Sequence, residues 1–232
     1  IIPANLTKQE KFYNGEKIKC RLLEVRQRFS NNYNLYTIRH QLVFERHSNE
    51  FIKGLLIDTI EEVHDNVVNI HNIAREPWIL TKVLISSNDT SVNPIGICIG
   101  LKGQRRNNLI ELLKGEKIDF ILYKDNIHKQ IERCFSKFDL YSINVNNNEI
   151  EIVIDNSMVG AILGKGGQNV KLISYLINKK IRIVSMEEHK NNKQKNVEKK
   201  IQELIDFGID KQTAESVITN YMDISNALDD NT

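Results

Sequence analysis

The chain has 232 residues, of which 41% are hydrophobic and 27% charged, and its formal net charge is +2. This composition is typical of globular proteins with about two to three small domains, and no run of about 18 apolar residues predicts a membrane span. Three separated cysteines without a C-x-x-C pair indicate a reduced, cytoplasmic setting, and the histidine spacing predicts no metal site.

In chain order, the first predicted unit covers residues 41–124. A helical pattern of irregular spacing runs from Leu42 to Leu56. The segments VVNIHNIA (67–74) and WILTKVLI (78–85) follow it and are rich in strand-forming residues. The unit therefore begins with a helix and two strands.

A glycine-rich turn completes this unit. Asn93 and Pro94 suit the cap and the first position of a short helix. The turn lies in GICIGLKGQ (96–104) and has the pattern G-x-x-G. An apolar-periodic helix and the strand EKIDFIL (116–122) come next.

The second predicted unit, residues 125–188, has the same order. A helical stripe precedes a hairpin formed by SINVN (142–146) and EIEIVI (149–154), with asparagines at its turn. The sequence GAILGKGGQ (160–168) then carries the second G-x-x-G, followed by a helix and the strand KKIRIV. The stripe consists of Ile127, Ile131, Phe135 and Phe138.

The two glycine turns form an internal repeat with an offset of 64 residues. A single G-x-x-G is a weak signal, because glycines also let two helices pack closely. Two copies at one offset, each with a lysine in the turn, favour a shared binding function. Each unit is predicted as helix, strand, strand, short helix, G-x-x-G, helix and strand.

Two other phosphate-binding motifs fit the second turn poorly. A P-loop requires G-x-x-x-x-G-K-[ST], but only three residues separate Gly160 from Gly164, and Gly166 follows Lys165. A dinucleotide fingerprint requires a third glycine where Asn169 stands. The G-x-x-G interpretation remains.

Charge is distributed unevenly along the chain. Residues 156–186 contain five basic side chains and no acidic one, whereas residues 203–232 contain seven acidic side chains and one basic one. Such a pattern favours a polyanion-binding face beside a separate acidic tail, although charge runs are often only solvated surface. The tail is predicted as two helices that break at Gly208, with Asp210 as a cap.

A G-x-x-G turn between two helices is suited to a phosphodiester chain. Glycine allows close approach, and amides at the start of the second helix favour an anion. This is the mode in which such a turn holds about four nucleotides of a single strand. The predicted RNA-binding residues are Gly100, Leu101, Lys102, Gly103, Gln104, Arg105, Gly164, Lys165, Gly166, Gly167, Gln168, Asn169, Lys171 and Arg182.

NPIGICIGLKGQR, LLKGEKIDFILY, GKGGQNVKL with KKIRIV, and IHNIAREP together resemble the NusA family of bacterial transcription factors. YNGEKIKCRLLEV and LYTIRH resemble the last strands of that family's OB-type barrel. The resemblance covers residues 1–188 and implies an α+β fold with a partial barrel (1–40) and two tandem type II KH domains (41–124 and 125–188). The acidic helical tail is assigned to residues 189–232. The chain does not begin with Met, and we expect a fragment of a longer protein.

Two positions depart from the family pattern. Asn93 stands where the family usually has Asp, and Arg106 stands where an apolar residue is usual. A buried Arg106 would be costly, so we expect its helix to rotate slightly or its guanidinium to reach solvent. We also expect residues 1–40 to be partly disordered or docked on the first KH domain, because an isolated piece of barrel has unpaired edges.

The resemblance implies a non-enzymatic, cytoplasmic transcription elongation, termination and antitermination factor. Its partners would be nascent single-stranded RNA and RNA polymerase, and we expect a monomer without a cofactor, a metal or a membrane contact. Two alternatives stay open: a KH-containing accessory module of an RNA-processing enzyme, and a ribosome-associated structural protein. The order of barrel and KH domains disfavours the first alternative, and the acidic tail disfavours the second.

Overall fold

The computed structural model describes residues 1–3, 10–32, 35–147 and 149–218. Within these ranges the strands form three sheets, ordered β1-β2, β3-β4-β5 and β6-β7-β8. Short 3₁₀ turns lie at 101–103, 156–158 and 165–167, and a last helix covers 211–218. The other elements are β1 (Arg21–Asn32), β2 (Leu35–Glu45), α1 (Asn49–Thr59), α2 (Glu61–His64), β3 (Val68–Glu76), β4 (Leu80–Ser87), α3 (Pro94–Ile99), α4 (Gln104–Leu112), β5 (Lys117–Leu122), α5 (Ile127–Cys134), β6 (Leu140–Val145), β7 (Glu149–Ile154), α6 (Val159–Leu163), α7 (Gln168–Ile177), β8 (Lys180–Ser185) and α8 (Met186–Asp206).

The predicted repeat is confirmed element by element. In the first unit β3 pairs with β4 antiparallel, and β5 returns parallel to β4 with Leu80 opposite Lys117. In the second unit β6 and β7 form the predicted hairpin, and β8 runs parallel to β7 with Glu149 opposite Lys180. The α+β fold class and the two tandem units are therefore those that the sequence predicted.

Each unit has its own apolar core between helices and sheet. Ile52 and Leu56 on α1 meet Val83 on β4, and all three are almost fully buried. In the second unit Ile131 on α5 packs with Ile152 on β7, and neither side chain is exposed. The spacing of four residues between Ile52 and Leu56 places both side chains on one face of α1.

The beginning of α1 differs from its predicted position. The prediction began the helix at Leu42, but β2 continues to Glu45, which is opposite Arg21 on β1. Helix α1 begins only after Ser48, whose hydroxyl accepts a hydrogen bond from the backbone N–H of Phe51. The apolar residues after Leu42 therefore belong partly to a strand, which explains their irregular helical spacing.

The described part of residues 1–40 docks on the first unit. The guanidinium of Arg46, which is 1% exposed, contacts the carboxylate of Glu10 at 2.7 Å and donates to the carbonyl oxygens of Lys19 and Leu112. Docking was one of the two expected outcomes. The partial barrel stays a prediction, because the described strands here form only a two-stranded sheet, and β2 runs past its predicted border at residue 40.

The second unit packs on the sheet of the first. Leu172 and Leu176 of α7 lie buried against Ala74, Leu84 and Ile121. This contact fixes α7, and with it the second glycine turn, on the first unit.

The tail begins without a linker. Helix α8 starts directly after β8, and the hydroxyl of Ser185 accepts from the N–H of Glu188. The predicted break at Gly208 is confirmed by its φ of 91°, and Asp210 caps the next helix by accepting from the N–H of Thr213. The remainder of that predicted helix, after residue 218, lies outside the described residues.

Candidate nucleic-acid interface

The two glycine turns, Gly100–Gly103 and Gly164–Gly167, have the same backbone conformation. In each, a short helix ends at the first glycine and a longer helix, α4 or α7, begins after the last. Three of the four positions in each turn have positive φ, a region that favours glycine. In the first and second turn, the φ/ψ values in degrees are 74/172 and 71/−178 at the first glycine, 50/24 and 62/25 at the third position, and 79/11 and 73/8 at the last glycine.

The first glycine of each turn is needed for close packing. A Cβ on Gly100 would lie 2.8 Å from Cγ of Arg105, and one on Gly164 would lie 3.1 Å from Cβ of Asn169. Both residues also have φ and ψ in a region that is essentially restricted to glycine. These two glycines are therefore required by the inner side of the turn.

Arg105 and Asn169 occupy equivalent positions, 64 residues apart. Each of them joins the two helices that flank its own turn. Nη1 of Arg105 donates to the carbonyl of Ile97 at 3.1 Å, and Nδ2 of Asn169 donates to that of Ile162 at 2.8 Å. Nη1 of Arg105 also lies 2.8 Å from a carboxylate oxygen of Glu62. Both side chains were predicted to contact RNA, and the structure engages both in contacts within the protein.

The outer side of each turn is open. Apart from neighbouring backbone, no heavy atom of the described residues lies within 4 Å of a Cβ built on Gly166 or Gly167, and Leu101 is 79% exposed. Lys102 and Lys165 are exposed and have no ion-pair partner among the described residues. Neither α4 nor α7 has a side-chain cap, which leaves first-turn N–H groups for an anion.

The other predicted basic residues form ion pairs. Nζ of Lys171 lies 3.5 Å from Glu76 on the other unit, and Nη2 of Arg182 lies 2.8 Å from Glu188. These pairs are partly exposed, so each contributes roughly 0–1 kcal/mol and can rearrange. Within the described part of the chain, the two turn lysines are thus the predicted basic residues that have no ion-pair partner. Gln104 is exposed, and Gln168 is half-buried.

A second shared feature precedes each short helix. The carboxylate of Asp89 accepts from the hydroxyl and N–H of Ser91, and that of Asp155 accepts in the same way from Ser157. These bonds lower the pKa of both carboxylic acids. The D-x-S pattern occurs in both units of the sequence and would have signalled these turns, but the sequence analysis missed it.

Other site chemistries have no support in the described residues. They contain no group of three or more His, Cys, Asp or Glu side chains that would hold a metal ion. None of their helices combines the length and the hydropathy that a membrane span requires. Burial and the nearby carboxylate of Glu62 raise the pKa of Cys98 to about 12, so this thiol is no candidate nucleophile at neutral pH.

Comparisons with known proteins agree with this geometry. Residues 46–123 match the model of a NusA-like first KH domain, and residues 127–191 match that of a NusA-like second KH domain. The chain is also similar to three proteins named "Transcription termination/antitermination protein NusA". It is 28% identical to the protein from Rickettsia prowazekii over 198 residues, 30% to that from Borreliella burgdorferi over 182, and 29% to that from Halalkalibacterium halodurans over 150.

These alignments cover 83%, 77% and 64% of this chain but only 37%, 36% and 39% of the respective relatives. The chain thus spans less than half the length of the curated relatives that it matches. Both domain matches follow in the order and at the positions of the two repeat units. The chain belongs to the family of proteins with NusA-like tandem KH domains.

Proposed function

We propose that the chain binds single-stranded RNA through its two G-x-x-G turns. The observation that carries this proposal is the repeated turn geometry, because both turns keep the glycine conformation and an open outer side with one exposed lysine each. A phosphodiester backbone needs such an approach, and a G-x-x-G turn of this kind holds about four nucleotides of a single strand. The KH domains of the family support the same ligand.

We further propose that this binding serves transcription elongation, termination and antitermination. The support is the printed name of the relatives, and the chain represents only part of their length. In this role nascent RNA is the ligand and RNA polymerase is the partner. The chain acts in the cytoplasm as a monomer, without a cofactor and without catalysis of its own.

The two turn lysines supply positive charge, and the backbone N–H groups of the turns supply directed hydrogen-bond donors. An RNA phosphate beside Gly166 meets a backbone with no side chain in front of it. The residue before Gly166 is Lys165, which carries the positive charge of this turn. Lys102 occupies the position equivalent to Gly166 in the first turn, so the two turns place their charge differently. Binding should weaken as salt rises, since phosphate contacts release counterions.

A paired-variant titration tests this function. Lys165→Asp with Gly166→Asp introduces negative charge at the open side of the second turn. The matched control is Lys195→Asp with Asn196→Asp on exposed α8, which makes the same charge change elsewhere. Labelled single-stranded RNA, duplex RNA and single-stranded DNA are titrated at two salt concentrations.

We expect the parent chain to prefer single-stranded RNA and to bind it more weakly at high salt. The affinity for single-stranded RNA should fall at least tenfold in the turn variant and much less in the control, because phosphate contacts dominate affinity. Equal losses of RNA affinity in the two variants would show that net charge alone causes the effect. Absence of RNA binding by the parent chain would remove the proposed function.

A further inference from the structure

An exposed aromatic side chain lies on helix α7, beyond the second glycine turn. Tyr175 is 63% exposed, and Nζ of Lys171 lies 5.9 Å from the centre of its ring. Lys171 follows the last glycine of the turn by four residues, which is about one turn of helix. The carbonyl oxygen of Tyr175 accepts a hydrogen bond from Nδ2 of Asn72 at 3.3 Å, so this part of α7 is held against β3 of the first domain. Tyr175 is not among the predicted RNA-binding residues.

The first domain contributes a second aromatic residue from the turn between β3 and β4. This turn, residues 76–79, is closed by a hydrogen bond from the N–H of Ile79 to the carbonyl oxygen of Glu76, and it contains Trp78. The carboxylate of Glu76 lies 3.5 Å from Nζ of Lys171. Lys171 therefore stands between the ring of Tyr175 and the turn that carries Trp78.

The fold alone does not explain Trp78. Its φ is 66°, a conformation for which this position of a turn normally uses glycine. Bulky residues with positive φ are outliers, and such strain is concentrated at functional sites. Its Nε1 is also buried without a hydrogen-bond partner in the described part of the chain. A glycine would avoid both costs, so we look for the benefit of this ring outside the fold.

The charge beside the two rings suits a polyanion. Lys117 is exposed next to the turn, where its N–H donates to the carbonyl oxygen of Ile79, and it has no ion-pair partner within the described ranges. Lys165 in the glycine turn is exposed as well. The pair between Lys171 and Glu76 is partly exposed, so a phosphate can take the place of the carboxylate.

We propose that Trp78 and Tyr175 stack the bases of single-stranded RNA next to the nucleotides that the second turn holds. Aromatic rings accept any base by stacking, and the neighbouring lysines bind the phosphates between the bases. The inference rests on the proposed function, since these bases belong to the same RNA strand. It adds a site that contacts bases and lies outside both glycine turns.

The test uses a labelled adenine dodecanucleotide and variants of each ring. Trp78→Gly removes the indole and suits the positive φ, and Tyr175→Ala removes an exposed ring, so neither variant disturbs the core. Trp78→Phe and Tyr175→Phe keep an aromatic surface. The matched control is Tyr141→Ala on β6, because Tyr141 is 67% exposed. Urea unfolding of each variant verifies that it is folded.

We expect each ring removal to weaken dodecanucleotide binding about tenfold, because one base loses its stacking partner. The dependence of affinity on salt should stay that of the parent chain, because no phosphate contact is removed. Both Phe variants and the Tyr141→Ala control should bind like the parent chain. Ring-removal variants that bind as tightly as the control would overturn the inference and favour a protein as the occupant of this surface.

Trp78 is the single tryptophan of the chain, so its fluorescence reports on this site directly. A base stacked on the indole should quench the fluorescence along the same saturation curve as RNA binding. Unchanged fluorescence at saturation would contradict the inference, and the proposed function would stand if Lys165→Asp with Gly166→Asp still lowers RNA affinity. If the parent chain binds no RNA, both the inference and the proposed function fail.

Discussion

Individual residues of the two turns have separable roles. Gly100 and Gly164 are needed for folding because another side chain lies against them, whereas folding constrains Gly166 only through its positive φ. Lys102 shows that a side chain fits the position equivalent to Gly166, since its φ is 50° and its ψ is 24°. The sequence predicted the glycines and the lysines, but it gave no sign that Arg105 and Asn169 contact the protein itself.

Alanine substitutions should separate these roles. Gly100→Ala combines a glycine-only conformation, at about 1–3 kcal/mol, with a contact that forces neighbouring atoms apart. Gly166→Ala carries only the left-handed backbone cost of roughly 1 kcal/mol. Urea unfolding of both variants measures the difference, and equal free energies of unfolding would contradict the packing role of Gly100.

The sequence predicts an element well where neighbouring residues alone determine it. The cap of Asn93, the hairpin and the helix break at Gly208 all depend on neighbouring residues, and all are confirmed. The predicted start of α1 was wrong because pairing of β2 with β1 extends the strand to Glu45. The surroundings of Arg106, which lies half-buried beside Arg133 and Lys137 of the second domain, were not predictable, because they require the relative placement of two domains.

The junction between β2 and α1 should respond to acid. Burial raises the pKa of Glu45, but hydrogen bonds from the hydroxyl and N–H of Ser48 and from the N–H of His47 outweigh it and leave the pKa below its ordinary value of 4.5. A carboxylate with a lowered folded pKa adds stability above its unfolded pKa, and this stability is lost as the pH falls through the folded value.

Glu45→Gln removes this titration. We expect the variant to be less stable than the parent at pH 7, and the gap to narrow as the pH falls below about 4.5. Thermal unfolding between pH 7 and pH 3 measures both curves. Parallel curves across that range would contradict the assigned hydrogen bonds.

At the scale of the whole molecule, the contact between the two KH domains decides how the two turns are placed. Helix α7 carries the second turn and also packs on the first domain, where Nδ2 of Asn72 donates to the carbonyl of Leu176 at 2.7 Å. The apolar spacing of α7 was visible in the sequence, but its division between two partners was not, because long-range packing leaves no local pattern.

Truncation of this contact should uncouple the domains. Leu176→Ala removes a side chain that is 2% exposed at the interface, and buried Leu→Ala changes cost about 2–5 kcal/mol. We expect denaturant unfolding, followed by both fluorescence of Trp78 in the first domain and circular dichroism, to separate into two transitions. Coincident transitions at an unchanged midpoint would show that the interface contributes little.

The central claim is that both turns hold one RNA strand. Backbone amide shifts in a ¹⁵N-labelled chain, recorded while a single-stranded dodecanucleotide is added, test it most directly. The account predicts that the largest shifts occur at residues 100–105 and 164–169 and follow one saturation curve. Shifts confined to other surfaces, such as α8, or to a single turn would contradict it.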